Sequence, residues 1–522
     1  MSVEPSGRIL DKLSPDVLVN ILKFLSPKDI ISTRQTSKLL YTVTKSRTVW
    51  INALRFIMVR YSITEAIFPL QKMTLSMLEH IALSPYRFAA LVEKYHESTT
   101  QPLTSIRTLS TRFTDEEKKT YGLPTSGRVD DFLMAPGGRY LVTLSYQKTQ
   151  QSTLFTLWDL GLGGDEAVKA VARFLDPAGM TGICCLSMDP TDPQVLYLIS
   201  VQQGPPRPVI FAHKVSLMGT PQISSFRELE ISATAPYSDC EAVVVPDSST
   251  LVISTFYDGR FHFWVWDVLA NAATILWSQE YIVTDSPTVR IIVDLHQMRS
   301  QDWLSQVLPY NDCIMVIIEG QILVYNIPPL VPLDSRLPLP FNSPVILTTP
   351  PTVYFGSFFV VEDFESPTSS ANPDLPPYML VVDHDQLMVL EIKDSNPLRN
   401  DRLPNKLPIV TETVNFTDPV TRLAAEKTVA KKCEDHMFFV HYDESAFLVF
   451  ALDVRQLYDV DKLDKLGTGG VRTTNTTLEF SMSFHGVHSK QFSPILGRFC
   501  VLTDANDVHI FDYLVAPDRD DL

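Results

Sequence analysis

The chain contains few cysteines and no apolar run long enough to cross a membrane. Its 522 residues include six scattered cysteines, so we expect buried free thiols in a reducing compartment and no disulfide framework. The longest apolar runs, such as residues 313–318, are far shorter than the roughly 18 residues that span a bilayer. The first residues, MSVEPSGR, lack the apolar core of a secretion signal. These features predict no membrane segment and a location in the cytoplasm, the nucleus or both.

Positive charge is also scarce. The chain holds 44 Lys and Arg residues against 60 Asp and Glu residues, which gives a net charge of −16. Because nucleic-acid binding needs clustered cations for the phosphates, we expect no general affinity for DNA or RNA.

The common catalytic motifs are missing from the sequence. It has no G-x-S-x-G, H-E-x-x-H, P-loop or dinucleotide-binding fingerprint. The run Asp383-His384-Asp385 groups ligand-type residues, but it lies between two apolar segments, where a hairpin turn is expected. We therefore expect no metal, no other cofactor and no catalytic activity in this chain.

Residues 9–58 carry the most informative pattern and predict a bundle of short helices. Ser14-Pro15 and Ser26-Pro27 each offer a capping oxygen followed by a first-turn proline. The first helix has an apolar arc of roughly 160°, wider than one core requires. This arc consists of Val17, Leu18, Ile21, Leu22, Phe24 and Leu25. A bundle of this size cannot easily bury so much apolar surface alone, so the surplus is expected to face a partner.

The charge of this segment differs from that of the rest. Residues 1–60 hold ten Lys or Arg and four Asp or Glu, a net +6, whereas the remaining residues hold 34 and 56, a net −22. An acidic partner would be steered towards the basic segment.

A larger set of positions in this segment consists of Leu13-x-Pro15-Asp16-x-Leu18, Ile21-Leu22, Phe24-Leu25, Pro27, Asp29-Ile30, Thr36-Ser37-Lys38, Leu40 and Trp50. In residue type and spacing this set resembles the F-box. It differs in having Leu-Ser-Pro where Leu-Pro is usual and Leu40 where an aromatic residue is frequent. A helical cap that packs only on its own protein is the alternative.

The resemblance implies a Skp-type adaptor as first partner, and through it a cullin and a RING protein. The chain would then be the substrate receptor of an SCF-type ubiquitin ligase. The candidate adaptor contacts are Leu13, Pro15, Leu18, Ile21, Leu22, Leu25, Ile30 and Ile31, with Trp50 as a late anchor. A scaffold acting outside a ligase and a propeller enzyme with a site at the central channel are the alternatives.

Residues 59–125 keep a helical pattern and predict a helical linker. Thr74 can cap one helix, and Ser84-Pro85 repeats the signal for the start of another. The acidic and basic run at residues 115–119 is expected to be a solvated turn. The segment resembles the linker of many fungal F-box proteins that have a β-rich C-terminal half.

From residue 126 to 515 the pattern changes to short strands separated by turn residues. Seven units of two or three strands can be traced, with last strands ending near 159, 216, 267, 326, 393, 453 and 513. Repeated small sheets cover their faces when they are arranged radially, which predicts a seven-bladed β-propeller; a pair of β-sandwiches is the alternative. Trp158-Asp159, Trp266-Asp267 and Phe511-Asp512 at unit ends resemble WD repeats.

Three insertions and a tail complete the prediction. Residues 328–351 and 366–377 are rich in proline and residues 461–477 contain three glycines, so all three segments are expected to be surface loops. Residues 516–522 form an acidic tail.

Overall fold

The computed structural model describes most of the chain between residues 13 and 514. The described ranges are 13–61, 63–95, 105–109, 113–122, 128–147, 151–164, 166–177, 179, 181–202, 209–230, 240–244, 248–257, 260–277, 306–310, 313–318, 321–327, 329–333, 341–342, 345–347, 358–361, 378–383, 386–394, 406–415, 428–433, 436–443, 446–453, 473–479 and 486–514. Of the predicted loops, residues 366–377 lie outside these ranges, as does the predicted acidic tail.

The N-terminal part is helical, as predicted. The helices of this part are α1 (Pro15–Leu22), α2 (Pro27–Arg34), α3 (Lys38–Thr44), α4 (Arg47–Arg60) and α5 (Leu75–Lys94), with a 3₁₀ turn at Leu70–Lys72. Side-chain caps fix several starts: the oxygens of Ser26, Ser37 and Thr74 accept from the backbone N–H three residues on. No helix among the described residues is long and apolar enough to cross a membrane.

Helix α5 is continuous where the sequence predicted a new start. Pro85 lies inside it and Ser84 is fully buried, with its hydroxyl donating to the His80 carbonyl at 2.7 Å. The prediction was wrong because a Ser-Pro pair resembles a helix start locally, whereas packing on both sides of this pair continues the helix.

Two further elements of the linker differ from prediction. Strand β1 (Ser105–Thr108) follows α5, so the linker is not helical throughout. Helix α6 (Asp115–Tyr121) replaces the expected turn, because Thr114 and Glu117 form a reciprocal capping box.

The β-rich part consists of short antiparallel strands. In chain order these are β2 (Asp131–Met134), β3 (Tyr140–Gln147), β4 (Ser152–Asp159), β5 (Lys169–Asp176), β6 (Thr181–Met188), β7 (Val195–Gln202), β8 (Val209–Ser216), β9 (Gln222–Glu230), β10 (Cys240–Val244), β11 (Thr250–Tyr257), β12 (Arg260–Asp267), β13 (Ala272–Trp277), β14 (Gln306–Tyr310), β15 (Cys313–Ile318), β16 (Gln321–Asn326), β17 (Val331–Pro332), β18 (Phe341–Asn342), β19 (Val345–Leu347), β20 (Phe358–Val361), β21 (Tyr378–Asp383), β22 (Gln386–Asp394), β23 (Lys406–Asn415), β24 (Thr428–Cys433), β25 (His436–Asp443), β26 (Ala446–Asp453), β27 (Thr473–Glu479), β28 (Val487–Ser493), β29 (Arg498–Thr503) and β30 (Val508–Asp512).

These strands form seven sheets among the described residues, as the seven predicted units require. We number them in chain order. The strand orders are β2-β3-β4-β5 (sheet 1), β6-β7-β8-β9 (sheet 2), β10-β11-β12-β13 with β17 and β18 (sheet 3), β14-β15-β16-β19 (sheet 4), β20-β21-β22-β23 (sheet 5), β24-β25-β26-β27 (sheet 6) and β28-β29-β30-β1 (sheet 7). Sheet 7 therefore takes its outer strand, β1, from the linker.

The first strands of successive sheets lie against one another. Contacts run from β20 through β24, β28, β2, β6 and β10 to β14, so the last sheet adjoins the first. This radial order excludes a pair of sandwiches and matches the propeller prediction. Pairing of Ser105 with Asp512, and of the next three residues of β1 with β30, joins the two ends of the ring.

The insertions are only partly loops. Within residues 328–351, β17 and β18 pair with the outer strand of sheet 3, and β19 completes sheet 4. Pro332 is tolerated there because β17 is an edge strand, where a missing N–H costs no ladder bond. Likewise, residues 473–477 of the third predicted loop belong to β27.

Candidate protein-docking site

The helices of the N-terminal module form a complete core around Trp50. This side chain is fully buried, and its Nε1 donates to the Thr44 carbonyl at 2.8 Å. The Arg34 guanidinium lies 5.4 Å from the indole ring and forms a two-pronged ion pair with Glu79 of α5 at 2.8 and 2.9 Å. The module is thus tied to the linker by a half-buried, bidentate contact, the favourable geometry for such a pair.

The structure divides the predicted adaptor contacts into two groups. Leu18, Leu22, Ile30 and Trp50 are at most 1% exposed and lie in the module's own core. A partner cannot reach these four without opening the bundle, so we correct their assignment from contact residues to core residues. The others are exposed (Pro15 and Ile21) or half-buried (Leu13, Leu25 and Ile31), and their contact role stays a prediction.

An apolar stripe remains on the surface of α1 and the turn after it. Val17, Ile21 and Phe24 are 43%, 44% and 80% exposed and follow one another at helical spacing. We call these three residues the α1 stripe. Tyr41 on α3 is also exposed, and Lys23 holds its ammonium 5.0 Å from the Phe24 ring. Val17 and Phe24 were part of the predicted apolar arc but not of the predicted contacts, because periodicity alone does not separate the inner from the outer edge of a wide arc.

The linker is packed on sheet 1 of the ring. Gly137, in the turn between β2 and β3, has a φ of +81°, and a Cβ there would come within 3.1 Å of Ile63 and 3.2 Å of Phe68. In the same place, Arg139 donates to the Ile67 carbonyl at 2.8 Å while pairing with Asp159. The segment between α4 and the 3₁₀ turn is therefore in direct contact with the β2–β3 turn of sheet 1.

The second half of α5 is inserted between sheets 6 and 7. Phe88 is fully buried, with its ring centroid 5.0 Å from that of Phe438, 5.2 Å from Phe492 and 6.2 Å from Phe499. At the end of the helix, the Thr476 hydroxyl donates to the Tyr95 carbonyl at 2.9 Å. Aromatic packing of this kind fixes the direction of the helix relative to the ring.

An ion network closes the ring where sheet 7 meets sheet 1. Asp512 on β30 accepts from Arg498 on β29 at 2.5 Å and from Arg107 on β1 at 2.5 and 3.1 Å. Both arginines also donate across to sheet 1, Arg498 to the carbonyls of Gly138 and Gly161 and Arg107 to that of Leu160. We call this group the ring seam.

The other dipeptides that resemble WD repeats have structural roles of the same kind. Trp266 is fully buried, and Asp267 accepts from the Ser249 hydroxyl at 2.7 Å and from two backbone N–H groups in the turn that follows. Trp158 is buried and donates to Thr143 at 2.9 Å. Both tryptophans are therefore packing residues of their sheets.

One buried Ser–His–Asp group lies between sheets 1 and 2. The Ser200 hydroxyl is 2.9 Å from His213 Nε2, and an Asp176 oxygen lies 3.8 Å from the same nitrogen. A catalytic triad uses the two ring nitrogens separately and exposes its nucleophile, whereas Ser200 and His213 are fully buried. Burial lowers the pKa of His213 to about 4, so the imidazole is neutral at physiological pH.

Metal ligands are not gathered in the described part of the chain, where no group of three or more His, Cys, Asp and Glu side chains could hold an ion. Of the run Asp383-His384-Asp385, the second and third residues lie outside the described ranges. The flanking strands β21 and β22 pair with Asp383 opposite Gln386, the register expected of a hairpin.

Comparison with known proteins adds a family for the helical module. Residues 10–52 match the F-box domain model. A search of curated proteins finds no match.

Among solved structures, a chain of the Chaetomium thermophilum Polycomb Repressive Complex 2 bound to GSK126 is similar at 11% identity, with a TM-score of 0.41 over 80% of this chain and 100% of that one. The WD40 domain of SCAP from fission yeast is similar at 10% identity, with a TM-score of 0.38 over 80% of this chain and 96% of that one. The chain thus carries an F-box domain at residues 10–52, followed by antiparallel sheets in a propeller arrangement.

Proposed function

We propose that this chain is the substrate-receptor subunit of an SCF-type cullin–RING ubiquitin ligase. The F-box docks on a Skp-type adaptor through the α1 stripe, and the propeller holds the protein to be ubiquitinated. The observation that carries this proposal is an exposed apolar stripe on a domain whose own core is already filled. Such a surface in a monomer marks a site for another protein.

The energetics of the stripe fit a docking role. Burying the remaining exposed surface of each of its three side chains would contribute on the order of 1 kcal/mol. The net charge of +6 on residues 1–60 would add long-range attraction for an acidic adaptor.

The chain contributes proximity in this proposal, and the other subunits supply the chemistry. Linker contacts on sheets 1, 6 and 7 hold the propeller in one direction relative to the F-box. A substrate on the ring is then presented at a restricted distance from the conjugating enzyme, which raises the effective concentration of its lysines. No catalytic residue of this chain is required.

The docking face is tested by Ile21→Asp, which places a charge in the α1 stripe. Ile21 is 44% exposed, so the substitution should leave the fold intact while lowering affinity for a Skp-type adaptor at least tenfold. Phe56→Asp on α4 is the matched control, since Phe56 is also 44% exposed. Isothermal titration of the purified chains with the adaptor measures both, and unchanged binding by the Ile21 variant refutes the assigned face.

Formation of a four-component complex would distinguish a ligase subunit from a scaffold. The chain, adaptor, cullin and RING protein are mixed and passed through size exclusion, and one peak with all four components is expected. An adaptor complex that excludes the cullin would favour the scaffold. Proximity labelling in cells, comparing wild type with the Ile21 variant under proteasome inhibition, then identifies candidate substrates.

A further inference from the structure

Ser14 lies at the start of α1 and in line with the α1 stripe. Positions 14, 17, 21 and 24 are separated by three, four and three residues, which places them along one side of a helix. The Ser14 side chain is exposed and forms no capping hydrogen bond, and its backbone is extended, with φ −66° and ψ 151°. Its hydroxyl is thus accessible at one end of the proposed docking surface.

Burial distinguishes Ser14-Pro15 from similar dipeptides. Five Ser-Pro or Thr-Pro pairs lie in the described part of the chain, and two of them, Ser84-Pro85 and Ser493-Pro494, are buried. Thr220 is exposed, but the proline after it is half-buried. In Ser14-Pro15 both residues are exposed.

The remaining pair, Ser26-Pro27, has its hydroxyl engaged. Ser26 Oγ accepts from the Asp29 backbone N–H at 3.2 Å and donates to the Asp29 carboxylate at 2.7 Å. Pro27 is the first residue of α2 and is buried. A phosphate on Ser26 would also meet the negative charge of Asp29.

We propose that Ser14 is the acceptor of a proline-directed Ser/Thr protein kinase, and that its phosphorylation prevents docking through the α1 stripe. Kinases of this class read an exposed proline directly after an acceptor in extended backbone. Ser14 Oγ forms a bond to the γ-phosphorus of ATP, the bond from that phosphorus to ADP breaks, and the hydroxyl proton is released. The inference rests on the proposed function, since it regulates the same surface.

The phosphate has two effects of opposite sign. At the first turn of α1 its charge of about −1.5 to −2 is stabilised by the helix dipole, so the free module should not unfold. Within a docked interface the same charge would be desolvated beside Val17 and would repel an acidic partner. Docking of α1 would itself cover Ser14, so the kinase acts on the unassembled chain and controls its entry into the complex.

The test uses the full chain, ATP and a purified proline-directed kinase, with Ser14→Ala as the control. Peptide mass spectrometry should find phosphate at Ser14 in the wild type. Titration with the Skp-type adaptor should show at least tenfold weaker binding of the phosphorylated chain than of the untreated chain, whereas kinase treatment should leave the affinity of Ser14→Ala for the adaptor unchanged. The melting temperature of the phosphorylated chain should be equal or higher, which excludes loss of binding through unfolding.

The outcomes separate this inference from the proposal on which it rests. If the untreated wild type does not bind the adaptor, the proposed function is wrong and the regulation falls with it. If the wild type binds but no phosphate enters at Ser14, or if the phosphorylated chain binds with the same affinity, the regulation alone is wrong. A lowered melting temperature would also overturn it, because the phosphate would then disrupt α1 and not its docking.

Discussion

Asp512 is the residue whose loss should most weaken closure of the ring. Its side chain is only 2% exposed and pairs with two guanidinium groups. The side chain of Arg498 is 1% exposed and that of Arg107 is 13% exposed. The substitution Asp512→Asn keeps the shape of the side chain but removes its charge. Two largely buried arginines are then left with carbonyl partners and no counter-ion.

The expected cost follows from the burial of the pair. Breaking a buried ion pair by removing one partner typically costs about 3–5 kcal/mol, because the remaining charge is desolvated and uncompensated. We expect Asp512→Asn to lower the free energy of unfolding by about this amount. The control is Asp115→Asn, which breaks a pair with Lys118 in which the carboxylate is 99% exposed and should leave stability unchanged.

Hydrogen exchange gives a local measure of the same effect. All four residues of β1 pair with β30, so opening of the seam should expose these amides before those of the other sheets. Exchange at residues 105–108 should accelerate in Asp512→Asn and not in Asp115→Asn. The seam does not hold the ring closed if the free energy of unfolding of Asp512→Asn lies within about 1 kcal/mol of the wild-type value and the β1 amides stay protected from exchange.

Two further predictions follow from the packing of single side chains. Phe88→Ala removes a ring that is enclosed by three phenylalanines, so it should lower the free energy of unfolding, measured by thermal unfolding, by about 3–5 kcal/mol. Affinity for the adaptor should be retained, and a loss of affinity with unchanged stability would contradict this prediction. The pKa of His213 is lowered by burial to about 4, so between pH 6.5 and 4 the unfolded chain binds a proton that the folded chain does not. The free energy of unfolding should therefore decrease as the pH is lowered from 6.5 to 4, and the full contribution of His213 to this decrease is about 3 kcal/mol. In urea titrations, the stability of His213→Gln should depend less on pH over this range than that of the wild type. An identical dependence in the two proteins would contradict this prediction.

The local features of the fold were predictable from the sequence. Ser26-Pro27 and Thr74 mark helix starts through capping chemistry, which acts within one turn. The last strand of each predicted unit ends within one residue of its observed end, as at Asp159 and Asp267, because alternation and turn residues are also local signals.

Features that depend on distant residues were not predictable. Residues 105–108 form a strand only because β30, some 400 positions later, offers an edge to pair with. Leu22 and Ile21 are neighbours with the same chemistry, yet one is 1% and the other 44% exposed. Which side of a wide apolar arc faces inward is decided by the helices that pack against it, and a single helix does not encode this.

The contacts that close the ring lie next to the contacts that orient the F-box. Arg498 of the seam donates to the carbonyl of Gly138, and its neighbour Gly137 touches the linker at Ile63. On the sheet 7 side of the seam, Phe499 follows Arg498 on β29, and its ring packs against that of Phe88 on α5. The linker therefore spans the junction at which the ring is least continuous in sequence. A linker bound on both sides of that junction stabilises closure, and a closed junction in turn fixes the direction in which the α1 stripe is presented.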